Sequence, residues 1–459
     1  MKVLTINPPA AAGVEVVREG RCMQRKGAWT SVWPPISLAL IAAVLERENF
    51  VVKLYDCIAQ KIDWLSLAEI IKKEKPSLLI CNTATPSIQN DLYLAPFAKK
   101  VIPTLYTAFF GIHVSALPDE CFRMQPEVDF IIRGEPEVTA KQLACYLRDG
   151  GKIDEVDGIS YKSDGMIKHN KDRKPIENLD ELPYPSWHLV DTGCYPMPLS
   201  GEPFLMVATS KRFVKGVCDE IIATKRKFRW VCNSRVDSVN KALLYLMKEA
   251  GCWMIGYGIE SGNQGILDMA GKGTTLKQAE NAVKWAKEAS LEVTGHLIVG
   301  LPYEDEKTIN QTIKFAKQLE LDYAQFYCAV PFPGSQLYNI AKENRWINTS
   351  DWRMFEQNYS VLDTEKISAK KIMKLRRKAY RKFYIRPKMF FRLFSKVSSV
   401  NKLVNLSRTA VDFISWVIDS RKEGYEWGSR KKTPLIGRIL KGVSVLSSLL
   451  KMKKQPYVR

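Results

Sequence analysis

From residue 1 to about 150, short apolar runs of strand length alternate with stretches whose apolar residues recur at helical spacing, the pattern of a doubly wound parallel sheet. Val3-Leu4-Thr5-Ile6 predicts a buried strand that ends at Asn7-Pro8-Pro9, where proline removes backbone donors and forces a turn. Helical spacing follows over 36–48, then a strand over 51–55, a helix over 65–73 and a strand over 77–81. Residues 82–87 form a small, polar loop at the carboxyl end of that strand. Further strands are predicted at 105–110 and 129–132, with a helix over 138–147. In such sheets ligands bind beyond the carboxyl ends of the strands.

The pattern changes after residue 150. Residues 157–165 predict a small hairpin, and the proline-rich stretch 182–187 a semi-rigid linker. A second alternating series starts with a strand at 204–209 and continues with strands at 228–232, 253–259, 292–299 and 323–329. Helices at 241–249, 275–289 and 306–320 separate most of them, as in a full or partial β/α barrel whose active site lies at the strand carboxyl ends. From residue 366 strand signals fade into basic, helical segments. The chain thus divides into an N-terminal Rossmann-like domain (1–150), a hairpin and linker (151–200), a truncated TIM-type barrel (201–350) and a basic helical C-terminal region (351–459), an α/β fold overall.

Composition sharpens this picture in one place. The net charge is +20, yet residues 366–459 hold 26 Lys and Arg against 4 Asp and Glu, leaving 43 basic and 45 acidic residues before them. All the excess charge is therefore C-terminal. Apolar positions from Leu435 to Leu450 keep to one helix face with Arg438, Lys441, Lys451, Lys453 and Lys454 around it, which suits an anionic membrane surface or a helix docked on its own barrel. The basic tail lacks an RNA-reading motif, which argues against a nucleic-acid partner. No run of about 18 uncharged apolar residues occurs and the N-terminus reads as a strand, so the expected location is cytoplasmic, at most peripheral to a membrane. Ten irregularly spaced cysteines do not make a disulfide framework and read mainly as small apolar residues.

Ordered short motifs carry more than composition does. Asn7-Pro8-Pro9, Pro34-Pro35-Ile36-Ser37-Leu38, Gly111-Ile112-His113 and Arg133-Gly134-Glu135-Pro136-Glu137 precede the hinge Asn178-Leu179-Asp180-Glu181-Leu182-Pro183-Tyr184-Pro185. Asn233-Ser234-Arg235-Val236-Asp237, Gly258-Ile259-Glu260-Ser261-Gly262, Gly295-His296 through Gly300-Leu301-Pro302, and Pro331-Phe332-Pro333-Gly334-Ser335 follow. In order and spacing these resemble the cobalamin-binding radical S-adenosylmethionine (SAM) family, in its branch of anaerobic ring cyclases and hopanoid-associated proteins, from Met1 to about Trp352. The resemblance implies a cobalamin site at Asn7, Pro8, Pro9, Thr83, Thr85, Ser87, Gly111, His113, Gly134 and Glu135. It implies a SAM site at Arg235, Glu260, Ser261, Gly262, Gly300 and Pro302. Small residues suit a backbone that a corrin or nucleotide must approach. His113 equally fits an ordinary loop hydrogen bond, Glu260 a helix cap or a pair with Arg235, and Gly300 a plain tight turn. No Asp-x-His-x-x-Gly motif is present, so a bound cobalt is expected to lack a protein imidazole.

One part of the family pattern is missing. Its members follow the first barrel strand with Cys-x-x-x-Cys-x-x-Cys, since three thiolates bind three irons of a [4Fe-4S] cluster and leave the fourth open for SAM. Here Phe204-Leu205-Met206-Val207-Ala208-Thr209-Ser210 resembles that strand, and Lys211 to Ile222 follows at once, resembling the helix before the third strand. A loop, a helix and a strand are absent, a unit of roughly 30 residues. Cys194, Cys218, Cys232 and Cys252 do not share the required spacing. The resemblance implies methyl transfer, radical rearrangement or cyclisation on a small-molecule or lipid-like substrate with an external electron donor, impaired by the missing loop. The alternative is a non-catalytic cobalamin-binding or membrane-associated protein.

Overall fold

The computed structural model describes residues 1–10, 16–19, 24–25, 32–197, 203–205 and 211–387. Its N-terminal half is built on strands β1 (Lys2–Asn7), β4 (Val51–Asp56), β5 (Leu78–Asn82), β6 (Tyr106–Phe110) and β7 (Phe130–Ile132), all parallel. A short antiparallel pair, β2 (Val16–Val17) and β3 (Gln24–Arg25), lies between β1 and the first helix. The sheet order is β4-β1-β5-β6-β7 followed by β8 (Ile159–Ser163) and β9 (Met166–His169), which run antiparallel. Every residue of central β5 is buried, as expected of a parallel strand covered on both faces. Helices α1 (Ile36–Arg47) and α7 (Pro136–Asp149) cover one face through Leu38, Ile41, Leu45, Ala140 and Leu143. The other face packs α2 (Trp64–Glu74), α3 (Ile88–Leu92), α4 (Leu94–Val101), α5 (Ile112–Ala116) and α6 (Pro118–Met124) over Leu67, Ile71, Leu94 and Phe122.

Two boundaries drawn from sequence differ here. The hairpin at 157–165 is not a separate linker element: Ile132, Ile131 and Phe130 pair with Ile159, Ser160 and Tyr161, so it extends the first sheet. The proline-rich stretch is not a free spacer. Ser186 N donates to Ala39 O, and Val190 and Tyr195 are buried against the α1 side of the core. Val190 and the ring of Tyr195, just past the prolines, decide this, because burying them gains more than a solvated spacer would.

Among the described residues the second half carries four parallel strands, β10 (Trp230–Arg235), β11 (Cys252–Glu260), β12 (Glu292–Val299) and β13 (Tyr323–Cys328), in that order. Before and between them lie α8 (Lys211–Ala223), α9 (Lys241–Glu249), α10 (Gln264–Met269), α11 (Leu276–Glu288) and α12 (Glu306–Gln318), with α13 (Gln336–Glu343) and α14 (Ala369–Tyr384) after β13. The capping box at Thr275 and Gln278 starts α11, and Asp305 with Thr308 starts α12. Helix α14 seals the outer edge of β13. Ala324 N and Phe326 N donate to the hydroxyls of Tyr384 and Tyr380, and Phe326 O accepts from Arg376 Nε at 2.6 Å. Side chains there satisfy an edge that a further strand would otherwise pair. Most of the predicted first barrel strand, residues 206–210, and the amphipathic segment 435–450 lie outside the described residues; Phe204 and Leu205 are not in a strand.

Candidate functional site

Strands β1, β4 and β5 end in Asn7, Asp56 and Asn82, which makes a polar crest along the carboxyl edge of the first sheet. Asn7, Thr83, Thr85, Ser87 and His113 are all buried there. Gly111, at φ 130°, begins α5, and a Cβ on it would lie 2.6 Å from Thr83 O and 2.7 Å from Thr83 Oγ1, so only glycine fits. Thr83 Oγ1 donates to Phe110 O at 2.8 Å, and Ser87 Oγ donates to Asp91 at 2.8 Å. Pro8 and Pro9 leave β1, with Pro9 O accepting from Asn90 at 2.9 Å. Gly134, at φ 74°, is tied to α5 through Ser115 Oγ, while the exposed Glu135 accepts from Ile176 N at 2.6 Å; these two sit at the rim.

His113 does not make the loop hydrogen bond that its position suggested. Both its ring nitrogens lack partners, and the ring meets Trp352 edge-on at 4.7 Å. Burial pushes its pKa down to about 4, so the ring is neutral. Asn7 Oδ1 and Thr85 Oγ1 are likewise buried without a partner. Four unsatisfied polar atoms at the carboxyl ends of a parallel sheet are unusual in a finished core, and they suit the amide fringe of a large cofactor.

The crest also holds residues that sequence reasoning missed. Arg18 donates to Asp91 at 2.6 and 2.8 Å and to Asn82 O at 3.0 Å, with both side chains buried. Glu19 accepts from Ser37 Oγ at 2.9 Å, and burial pushes its carboxyl up to about 7. Burial raises Asp56 too, although Tyr195 donates to it at 3.0 Å. Arg25 binds Glu356, 2.9 Å between Nε and Oε1 with its backbone N 2.7 Å from Oε2, and so joins the β2–β3 strap to the segment beyond the barrel. No periodicity marks these charges; a buried Arg paired with Asp at a separation of 73 residues is a tertiary fact.

In the barrel, β11 ends at Glu260, whose φ of 63° is a left-handed conformation rare outside glycine. Its Oε1 accepts from Lys272 Nζ at 2.6 Å. Arg235 does not pair with it: the guanidinium binds Asp237 at 2.8 and 2.9 Å and Lys272 O at 2.9 Å. Ser261 and Gly262 N both meet Thr312 Oγ1, and a Cβ at Gly262 would strike Phe315 Cβ at 2.6 Å. At the end of β12, Gly300 has φ 83° and a Cβ there would meet Ile372 at 2.7 Å, which explains the glycine by packing of α14. Gly300 N and Leu301 N donate to Glu304 Oε2 at 2.8 and 3.0 Å, and Pro302 completes the turn. Glu304, fully buried and pushed up to about 7 by burial, is a further residue that sequence reasoning passed over. Below this rim His296 reaches Asn233 at 3.3 Å across Gly256, where a Cβ would lie 2.3 Å from Asn233 Oδ1.

Among the described residues, no three His, Cys, Asp or Glu side chains gather to hold a metal. Cys218 and Cys252 are buried in the barrel core with Cys232 packed on them, as the apolar reading expects. A concavity of about 630 Å³ lined by Met1, Lys75, Ser77, Thr104 and Tyr106 lies at the opposite, amino ends of the first sheet. Topology places ligands at the carboxyl ends, so that groove is set aside.

Comparison with known proteins agrees with this geometry. The B12 binding domain matches residues 27–144 and the Radical SAM superfamily residues 159–316. The chain is 32% identical to an uncharacterized methyltransferase, PH0819, of Pyrococcus horikoshii, over 447 aligned positions that take in 85% of this chain and 94% of the relative. That alignment is longer than the part of this chain it takes in, so the relative carries residues with no counterpart here. The anaerobic magnesium-protoporphyrin IX monomethyl ester cyclase of Rubrivivax gelatinosus is 25% identical, over 67% of this chain and 66% of that one. In fold, the chain is similar to the cobalamin-dependent SAM radical enzyme OxsB, solved with aqua-cobalamin and SAM bound, at a TM-score of 0.64 and 14% identity over 99% of this chain and 80% of that chain. It is also similar to the radical SAM methyltransferase TsrM of Kitasatospora setae, at 0.57 and 13% over 76% and 79%. With a relative matched over nearly its whole length and both domain types in the expected order, this chain belongs to the cobalamin-binding radical SAM family.

Proposed function

We propose that the chain is built on the plan of a cobalamin-dependent radical SAM methyltransferase acting on a small, largely apolar molecule, inside the cell and at a membrane surface, with its radical chemistry impaired by the missing cluster loop. The observation that carries the reading is the crest itself, with its Gly111 opening and four buried, unpartnered polar atoms, in a chain matched over 85% of its length by a relative named as an uncharacterized methyltransferase. Relatives named for protoporphyrin cyclisation and bacteriochlorophyllide methylation support a flat, apolar substrate, and the cyclase names favour radical cyclisation as the second reading. These names weigh for an enzyme over a non-catalytic cobalamin carrier.

Cobalamin, when bound, would supply a cobalt able to carry a methyl group, and SAM would supply the methyl group. For this chain's own residues, Asn7, Thr85 and His113 would hydrogen-bond the corrin fringe while Pro8, Pro9, Thr83, Ser87 and Gly111 let it approach the backbone, with Gly134 and Glu135 at the rim. Neutral His113 offers one donor and one acceptor without adding charge. Glu260, fixed by Lys272, presents a carboxylate at the end of β11, and with Arg235, Ser261, Gly262, Gly300 and Pro302 would hold SAM. The residues present do not fit a [4Fe-4S] cluster, because the three-thiolate loop is absent from the sequence.

Anaerobic titration of the whole chain with hydroxocobalamin tests the reading. Retention of about one cobalamin per chain through gel filtration, seen in the visible bands, is expected; cobalamin that elutes free would sink it.

A further inference from the structure

We propose that the solvent faces of α12 and α14, lying side by side, form a docking surface for an anionic lipid membrane. The inference rests on the membrane-surface location read above and is independent of the cofactor chemistry.

Helix α14, AKKIMKLRRKAYRKFY, has eight Lys or Arg in 16 residues and no Asp or Glu. Its orientation is settled by the opposite face: Ile372, Leu375, Ala379 and Phe383 are buried in the barrel core, and Arg376 turns inward onto Phe326 O. That leaves Lys374, Arg381 and Lys382 exposed, with Arg377 and Lys378 half-buried beside them. Lys374 and Lys378, Lys378 and Lys382, and Arg377 and Arg381 stand four apart, a spacing at which like charges repel and cost helix stability. A helix selected only to cover the barrel would alternate its signs, as such surfaces usually do.

Helix α12 widens the patch. Lys371 pairs with Glu306 at 2.6 Å, Lys378 donates to Asn310 at 2.8 Å and Arg386 to Lys317 O at 3.2 Å, so the two helices run in the same direction in contact. Exposed Lys307, Lys314 and Lys317 then continue the basic surface. The 16 residues of α14 span about 24 Å, several Debye lengths at physiological salt, so a flat surface of charge can engage many of these cations at once.

Chemistry narrows the partner. The aromatic rings of α14 are spent inward: Tyr380 and Phe383 are buried and the Tyr384 hydroxyl binds Ala324. Nothing on the outward face can stack on a nucleobase, which single-stranded nucleic acid requires. What remains is delocalised positive charge of the kind that anionic headgroups attract. Beyond residue 387 the sequence adds more Lys and Arg and the apolar stripe from Leu435 to Leu450, a second signal of the sort that charge alone lacks for stable docking.

Co-sedimentation of the full chain with phosphatidylcholine vesicles, with and without phosphatidylglycerol, is the test. The chain should pellet with phosphatidylglycerol vesicles only and be released by raised salt. The variant K374Q/R381Q/K382Q should lower the partition coefficient by about a hundredfold, and K374E/R381E/K382E by more, with circular dichroism matching the parent for both. The proposal is overturned if the parent ignores phosphatidylglycerol, if phosphatidylcholine alone binds it equally, if the charge-reversed variant binds as the parent does, or if RNA at equal phosphate concentration displaces the vesicles. Because no cofactor enters the assay, failure of the enzyme reading leaves its outcome unchanged.

Discussion

Gly111 and Glu304 mark the two ways in which single residues shape this molecule. Gly111 was legible as a small residue after an apolar strand, but its necessity comes from Thr83, a residue of the neighbouring β5–α3 connection. Gly111→Ala should lower stability by about 3 kcal/mol in urea unfolding and release bound cobalamin. Glu304 was invisible in sequence, because nothing in Tyr303-Glu304-Asp305 says which carboxylate turns inward onto Gly300 N and Leu301 N. Its carboxyl is pushed from 4.5 to about 7, so the folded chain keeps a proton there that the unfolded chain has released. The group's favourable share is intact below about pH 4.5 and lost as the pH climbs to about 7. Glu304→Gln keeps an acceptor for the two amides without the charge, and should raise the melting temperature at pH 8 while leaving it nearly unchanged at pH 4; equal shifts at both would refute the assignment.

Among the elements, periodicity located the parallel strands β1, β4 to β7 and β10 to β13 and helices α1, α2, α7, α9, α11 and α12 to within a few residues, but passed over the β2–β3 pair and the shorter helices α3 to α6, α10 and α13. It failed where an element's partner is distant. The 157–165 hairpin joined the first sheet because β7 offered an open edge. The strap carrying Arg18 showed no pattern, yet it is held over the crest by a buried ion pair. Arg18→Met should cost about 3–5 kcal/mol by leaving Asp91 charged and uncompensated, whereas Arg18→Met with Asp91→Asn should recover more than half of it. Additive losses in chemical denaturation would mean that the pair does not act as a unit. The same strap reaches Glu356 through Arg25, so the loop over the first sheet and the segment beyond the barrel are one connected structure.

Across the whole molecule the charge is segregated: the excess is confined to residues after 365, and α14 places its described part on one outer face of the barrel. The absent thiolate loop also belongs at this scale, because cluster binding needs three ligands brought together. Reconstituted with iron and sulfide under anaerobic conditions, the chain should show no thiolate-to-iron absorbance, while grafting the whole missing unit, a Cys-x-x-x-Cys-x-x-Cys loop with its helix and strand, after Thr209 should restore it; a cluster on the ungrafted chain would point to ligands elsewhere. The two-part α/β plan, the family, the confinement of charge and the lack of that loop were all legible along the chain, since they reside in local period, order and spacing. Packing across the fold was needed to pair Glu260 with Lys272 and not Arg235, to leave His113 neutral and without a partner, and to close β13 with α14. Those outcomes depend on which distant side chains share a buried volume, and the strength of each contact is set by the solvent that packing excludes.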